Sequence, residues 1–87
     1  MQKFTQQKFK GMYNLIKFDY KTVTPFYDLK KNLTAIKVMQ NKNLITISVN
    51  GKISVENNGN LKESGRYYGD GFIDSAREII SFYKTFN

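Results

Sequence analysis

The sequence contains no cysteine and no histidine, and it has a single proline. Without cysteine there is no disulfide framework, no thiolate nucleophile and no cysteine zinc site. Without histidine, the commonest general base and the commonest transition-metal ligand are both missing. Arginine is scarce as well, with only Arg66 and Arg77 among 14 basic residues. Arginine supplies the bidentate forks that read guanine, so sequence-specific DNA readout loses ground while non-specific phosphate contact does not. No run approaches the roughly 18 apolar residues of a transmembrane helix. The first residues, MQKFTQQKFKG, lack the apolar stretch of a secretory signal. The expectation is a cytoplasmic protein without membrane contact.

What is present fits one small domain, residues 1–87. Six Tyr and seven Phe within a 40% hydrophobic composition supply material for one core, so wholesale disorder is not expected. A core this small leaves stability marginal, and a homodimer or other partner would add to it. The net charge of +7 is segregated. Residues 1–42 carry nine Lys against Asp19 and Asp28, whereas the basic and acidic residues of 43–87 cancel. A basic half points to an anionic partner. Because the lysines come singly or in one pair, they also fit an ordinary solvated surface.

The clearest element is a hairpin over Leu44–Asn57. LITISV alternates apolar and polar residues, Asn50-Gly51 follows, and KISVE resumes the alternation. Asn-Gly between two such runs predicts a type I′ turn, in which both central residues take positive φ. Ile45, Ile47, Val49, Ile53 and Val55 then form one apolar sheet face. Its expected cover is a helix over Phe72–Phe86, with Phe72, Ile73, Ala76, Ile79, Ile80, Tyr83 and Phe86 on one side. Asp70-Gly71 stands where a cap belongs.

Residues 12–42 admit two readings. In one, Leu15–Val23 is a strand and Thr24-Pro25 opens a helix with a stripe of Phe26, Leu29, Leu33 and Ile36. In the other, Phe9, Met12, Tyr13, Ile16 and Tyr20 face inward from an N-terminal helix, and Thr34–Gln40 is a strand. The Thr-Pro start favours the first. Residues 1–11 read as a flexible lead-in, and 58–71 as a Gly-rich loop presenting Arg-Tyr-Tyr. Either reading gives an α+β fold: an antiparallel sheet of three to four strands with helices packed on one face, the C-terminal helix following a β-hairpin.

The catalytic inventory is thin. Asp70, Asp74 and Glu78 are spaced four apart, a pattern shared by a magnesium patch and a solvated helix face with a capping Asp. GRYYGDG lacks the spacing and the terminal Lys of a phosphate-binding loop. No catalytic residue, metal or cofactor is therefore expected, and the chain reads as a binding protein, not an enzyme. The candidate partner-binding residues are Lys17, Lys21, Lys30, Lys31 and Lys37 in the basic half, with Arg66, Tyr67 and Tyr68 in the loop. The alternative is a nucleic-acid-binding module, for which KFTQQKFKGMY and KFDYK interleave phosphate-binding lysines with stacking rings.

The helix–strands–helix alternative is similar in layout to double-stranded RNA-binding domains. The basic residues that should open the last helix are replaced here by Phe72-Ile73-Asp74-Ser75. In size, and in a hairpin LITISVNGKISVE leading to a helix FIDSAREIISFYKTF, the chain resembles the small phage-encoded anti-defence proteins, anti-CRISPRs among them. The resemblance covers about half of the chain and includes no diagnostic motif. It implies a non-enzymatic inhibitor or adaptor that docks on a bacterial nucleic-acid-processing machine in the host cytoplasm. Most members mimic DNA with acidic surfaces. A basic member would instead grip an acidic patch on a bacterial protein or ribonucleoprotein, or the DNA or RNA itself.

Overall fold

Apolar residues at positions 9, 12 and 16 fall on one side of a helix, and the chain uses them so. A computed structural model describes residues 6–20, 22–67 and 71–85. Helix α1 (Gln6–Asp19) buries Phe9, Met12 and Ile16, and the half-buried Tyr13 and Tyr20 pack beside them. Strands β1 (Val23–Tyr27), β2 (Leu33–Gln40), β3 (Asn43–Ser48), β4 (Lys52–Asn57) and β5 (Asn60–Arg66) follow, and helix α2 (Gly71–Thr85) ends the described chain. The strands form one antiparallel meander in the order β1-β2-β3-β4-β5.

The α+β class and the antiparallel sheet match the sequence reading, but the sheet has five strands in place of three or four. The favoured strand-then-helix reading of residues 12–42 is overturned. Its helical stripe needs Leu29 buried, yet Leu29 is fully exposed on the β1–β2 turn. Local chemistry explains why. The Asp28 carboxylate accepts from the backbone N–H groups of Lys30 (2.8 Å) and Asn32 (2.9 Å). Lys31 takes a left-handed φ of 67°. An Asx-type turn thus stops any helix before it could propagate. Pro25 sits in edge strand β1. Since Met39 N–H donates to the Thr22 carbonyl, alternation along the ladder points the backbone of Val23 and Pro25 outward. The missing N–H of proline is lost on the solvent side.

The lead-in expected at 1–11 is helical from Gln6 onward, and residues 1–5 lie outside the described ones. Gln6 clamps the helix to the sheet: its Nε2 donates to the Leu33 carbonyl (3.0 Å) and its Oε1 accepts from the Leu33 N–H (2.7 Å). The Gly-rich loop expected at 58–71 contains β5, and Asn58-Gly59 forms the turn before it, with φ of 53° and 82°. That pair of positive values is the type I′ pattern. The Asn50-Gly51 turn differs from expectation, since only Gly51 has positive φ, at 95°. Gly51 N–H donates to the Ser48 carbonyl, which gives the three-residue loop closed by a glycine bulge.

One core joins the layers. Leu33, Ile36, Val38, Ile45, Ile47, Ile53 and Val55 meet Phe9, Met12 and Ile16 of α1 and Phe72, Ala76, Ile80 and Tyr83 of α2. The Phe9 and Phe72 rings stack at 6.3 Å between centroids, so the two helices meet each other as well as the sheet. Asn41 fastens the far end of α2, its Nδ2 donating to the carbonyls of Tyr83 (2.9 Å) and Lys84 (3.3 Å). The proposed Asp70 cap and Phe86 lie outside the described residues.

The Asp28 turn carries a pH dependence. Hydrogen bonds from the Asn32 and Lys30 amides outweigh desolvation and hold its carboxyl below the ordinary carboxylate range. A depressed folded-state pKa stabilises the fold above the unfolded value and loses that contribution as pH falls through the folded one. Urea unfolding midpoints should therefore drop below about pH 4, and Asp28→Asn should flatten the drop. An unchanged pH profile in that variant would remove Asp28 from the account.

Candidate docking surface

Both helices cover the same face of the sheet, so the alternate side chains of each strand are left on an open face. Register builds this face in rows. Thr24, Lys37, Thr46, Ser54 and Ser64 stand side by side across all five strands. Phe26, Ala35 and Ser48 form a second row, Met39, Leu44, Glu56 and Leu61 a third, and Lys52 faces Arg66 at the β4–β5 end. None of these side chains is buried. The face thus offers hydroxyls in its centre, an apolar row at one end, and Lys37, Lys52 and Arg66 against a single acid, Glu56.

Lys37 is the anchored cation of this face. Its Nζ lies 4.9 Å from the centroid of the Phe26 ring, a contact worth about 0.5–1 kcal/mol at an exposed site. Phe26 itself is 41% exposed. Lys37 and Arg66 are three strands apart, roughly 14 Å across the sheet. Lys30 and Lys31 project from the β1–β2 turn at the same sheet end as Lys52 and Arg66.

The structure therefore divides the residues singled out from the sequence. Lys37 and Arg66 share the open face, and Lys30 and Lys31 border it. Lys17 is on α1, on the helical side, with its Nζ 5.7 Å from the Tyr13 ring. Tyr67 does not project: it is half-buried against the core, and its N–H donates to the Gly51 carbonyl at 2.9 Å. Its ring lies over Gly65, where an added Cβ would come within 3.1 Å of the phenol oxygen. Lys21 and Tyr68 lie outside the described residues. Sequence reasoning missed Lys52, which sits in the electrically neutral half, and Phe26, which was assigned to a helical core stripe. The polar positions of the hairpin strands already marked the outer face, but its cations could be placed only once β2 was known to be a strand.

Among the described residues no three metal-ligating side chains come together, and no helix is long and apolar enough to cross a membrane. The open face offers charge, hydroxyl hydrogen bonds and modest apolar area, which are the ingredients of recognition. Compared with known proteins, the chain matches no family model, no curated protein and no solved structure.

Proposed function

We propose that the protein acts by binding alone, as an anti-CRISPR-like inhibitor or adaptor that docks on an acidic surface of a bacterial nucleic-acid-processing protein or ribonucleoprotein in the host cytoplasm. The observation that carries this reading is the uncovered sheet face with Lys37, Lys52 and Arg66 on it and Lys30 and Lys31 at its end. A basic face steers an acidic partner and fixes its orientation. The row of Met39, Leu44 and Leu61 beside it suits the mixed apolar and polar surface of a protein better than a phosphate backbone. Nucleic acid is the second reading, favoured by the exposed Phe26 ring under Lys37, which has the form of a stacking platform.

The test pairs wild type with Lys37→Glu/Arg66→Glu. Cross-linked capture from nuclease-treated host lysate should yield a defined acidic protein with wild type, and the double variant should bind that purified protein at least about ten-fold more weakly. Equal binding by the variant overturns the assignment. Titration of random-sequence DNA and RNA 20-mers should show weak binding with a shallow dependence on salt. A steep log–log slope selects the second reading instead.

A further inference from the structure

The two edges of the sheet are not equivalent. On β1 the outward backbone is interrupted by Pro25, a device that blocks strand addition. On β5, Tyr67 N–H donates to the Gly51 carbonyl, and the register pairs Gly65 with Ile53 and Glu63 with Val55. Alternation along an antiparallel ladder then turns the N–H and C=O groups of Ser64 and Arg66 outward. Among the described residues no segment pairs with them. The register shift between Val55 and Glu56 leaves Lys62 as an extra residue, so only the stretch from Glu63 to Arg66 offers a regular edge. Beside that stretch, on the helical side of the sheet, lies a depression of about 350 Å³ lined by Glu63, Glu78, Ile79, Phe82 and Tyr83.

This depression differs from the rest of the molecule in chemistry. Its floor is apolar, with Phe82 54% exposed, and both its charged groups are acids on a chain of net charge +7. The Tyr83 hydroxyl donates to Glu63 Oε2 at 3.1 Å, which holds one carboxylate at the rim. Burial, followed by the Glu63 hydrogen bond and charge, raises the Tyr83 pKa above the ordinary tyrosine range.

We infer that the β5 edge and the α2 groove together bind an extended segment of a partner protein, added as a sixth strand, that alternates apolar and basic side chains. The backbone of Ser64 and Arg66 would hydrogen-bond the incoming strand. Its residues opposite Glu63 and Gly65 would point to the helical side, where an apolar side chain meets Ile79 and Phe82 and a Lys or Arg meets Glu63 and Glu78. Opposite Gly65 the incoming side chain would meet the Tyr67 ring, which covers that glycine. The β5 strand of a second copy would bring only Glu63 and Gly65 to this groove, an acid against acids, so a self-complementary dimer is disfavoured. This site uses the backbone of Ser64 and Arg66 and the helical side of the sheet, not their side chains on the open basic face, and does not rest on the reading of that face.

The experiment selects from a displayed library of random nine-residue peptides with the intact chain, then maps the enriched peptides by amide chemical shifts and hydrogen exchange. The expected result is alternating apolar and basic peptides that protect the Ser64 and Arg66 amides and leave Val23 unaffected. Phe82→Ser and Glu63→Lys, both at exposed side chains, should each weaken such a peptide at least ten-fold, while Lys37→Glu, on β2 and on the opposite face, should leave binding unchanged. The inference is overturned if no peptide is enriched, if enriched peptides are acidic or map elsewhere, or if Ser64 and Arg66 are already protected in a concentration-dependent dimer without peptide.

Discussion

Phe9→Ala should lose about 3–5 kcal/mol of stability, a large share of the roughly 4–13 kcal/mol expected for an 87-residue domain. The ring is completely buried and stacks on Phe72, so truncation opens a void where α1, α2 and the sheet meet. Relaxation cannot fill it cheaply, because α1 is fixed at its start by the Gln6 clamp on Leu33 and further along by Met12 and Ile16. Phe18→Ala is the companion measurement. Phe18 is on the same helix but 90% exposed, and its truncation should change stability by no more than about 0.5 kcal/mol. The pair also decides between the two readings of the N-terminal third. Were Leu15–Val23 a strand, Phe18 would line its apolar face and Phe9 would lie in a lead-in, and the order of the two effects would reverse. Urea unfolding followed by circular dichroism reads both variants. A loss below about 1 kcal/mol for Phe9→Ala would mean that α1 is not docked as described.

That reversal shows how far the sequence could be read. The hairpin strands and α2 were legible because each has one strong periodicity, two for LITISV and KISVE and near 3.6 for Phe72, Ala76, Ile80 and Tyr83. Residues 12–42 satisfied two periods at once. Ile16, Phe18 and Tyr20 alternate, while Phe9, Met12 and Ile16 follow helical spacing, and Thr-Pro is a fair helix start in isolation. What separated the readings was the Asp28 turn and the demand of the β3 edge for a neighbour, and the second is a tertiary effect. The β5 strand was hidden for the opposite reason. NLKESGR has no apolar alternation, since its inner face carries Glu63 and Gly65 and the space above Gly65 is filled by the Tyr67 ring. Its one local signal, Asn58-Gly59, went unused in favour of the Asn-Gly pair flanked by aliphatic runs. The placement of the open face inherited both errors. Charge alone singled out Lys37, but its face, and its company with Lys52 and Phe26, depended on β2 and β5 being strands.

Gly51→Ala should cost about 3 kcal/mol or more, combining an unfavourable backbone with a steric clash. The residue has φ of 95°, and an alanine Cβ there would lie 2.5 Å from the Tyr67 carbonyl oxygen. That neighbour is backbone, so no side chain can swing aside. The same peptide region receives the Tyr67 N–H on the Gly51 carbonyl at 2.9 Å, and any retreat of Tyr67 breaks this bond and pulls on the end of β5. Gly59 provides the comparison: its φ is 82°, but nothing lies within 4 Å of an added Cβ, so Gly59→Ala bears only the backbone strain, about 1–2 kcal/mol. The difference between the two variants measures the contact between the β3–β4 loop and the β5 end. It also reaches the open face, since Lys52 and Arg66 are the register pair next to Gly51 and Tyr67. In whatever fraction of Gly51→Ala remains folded, the Tyr67 amide, which donates to the Gly51 carbonyl, should exchange faster, whereas Gly59→Ala should leave it unchanged. If Gly59→Ala proves the more damaging, or if the Tyr67 amide is indifferent to Gly51→Ala, the close approach of Tyr67 to this loop is wrong, and the position of Arg66 on the open face falls with it.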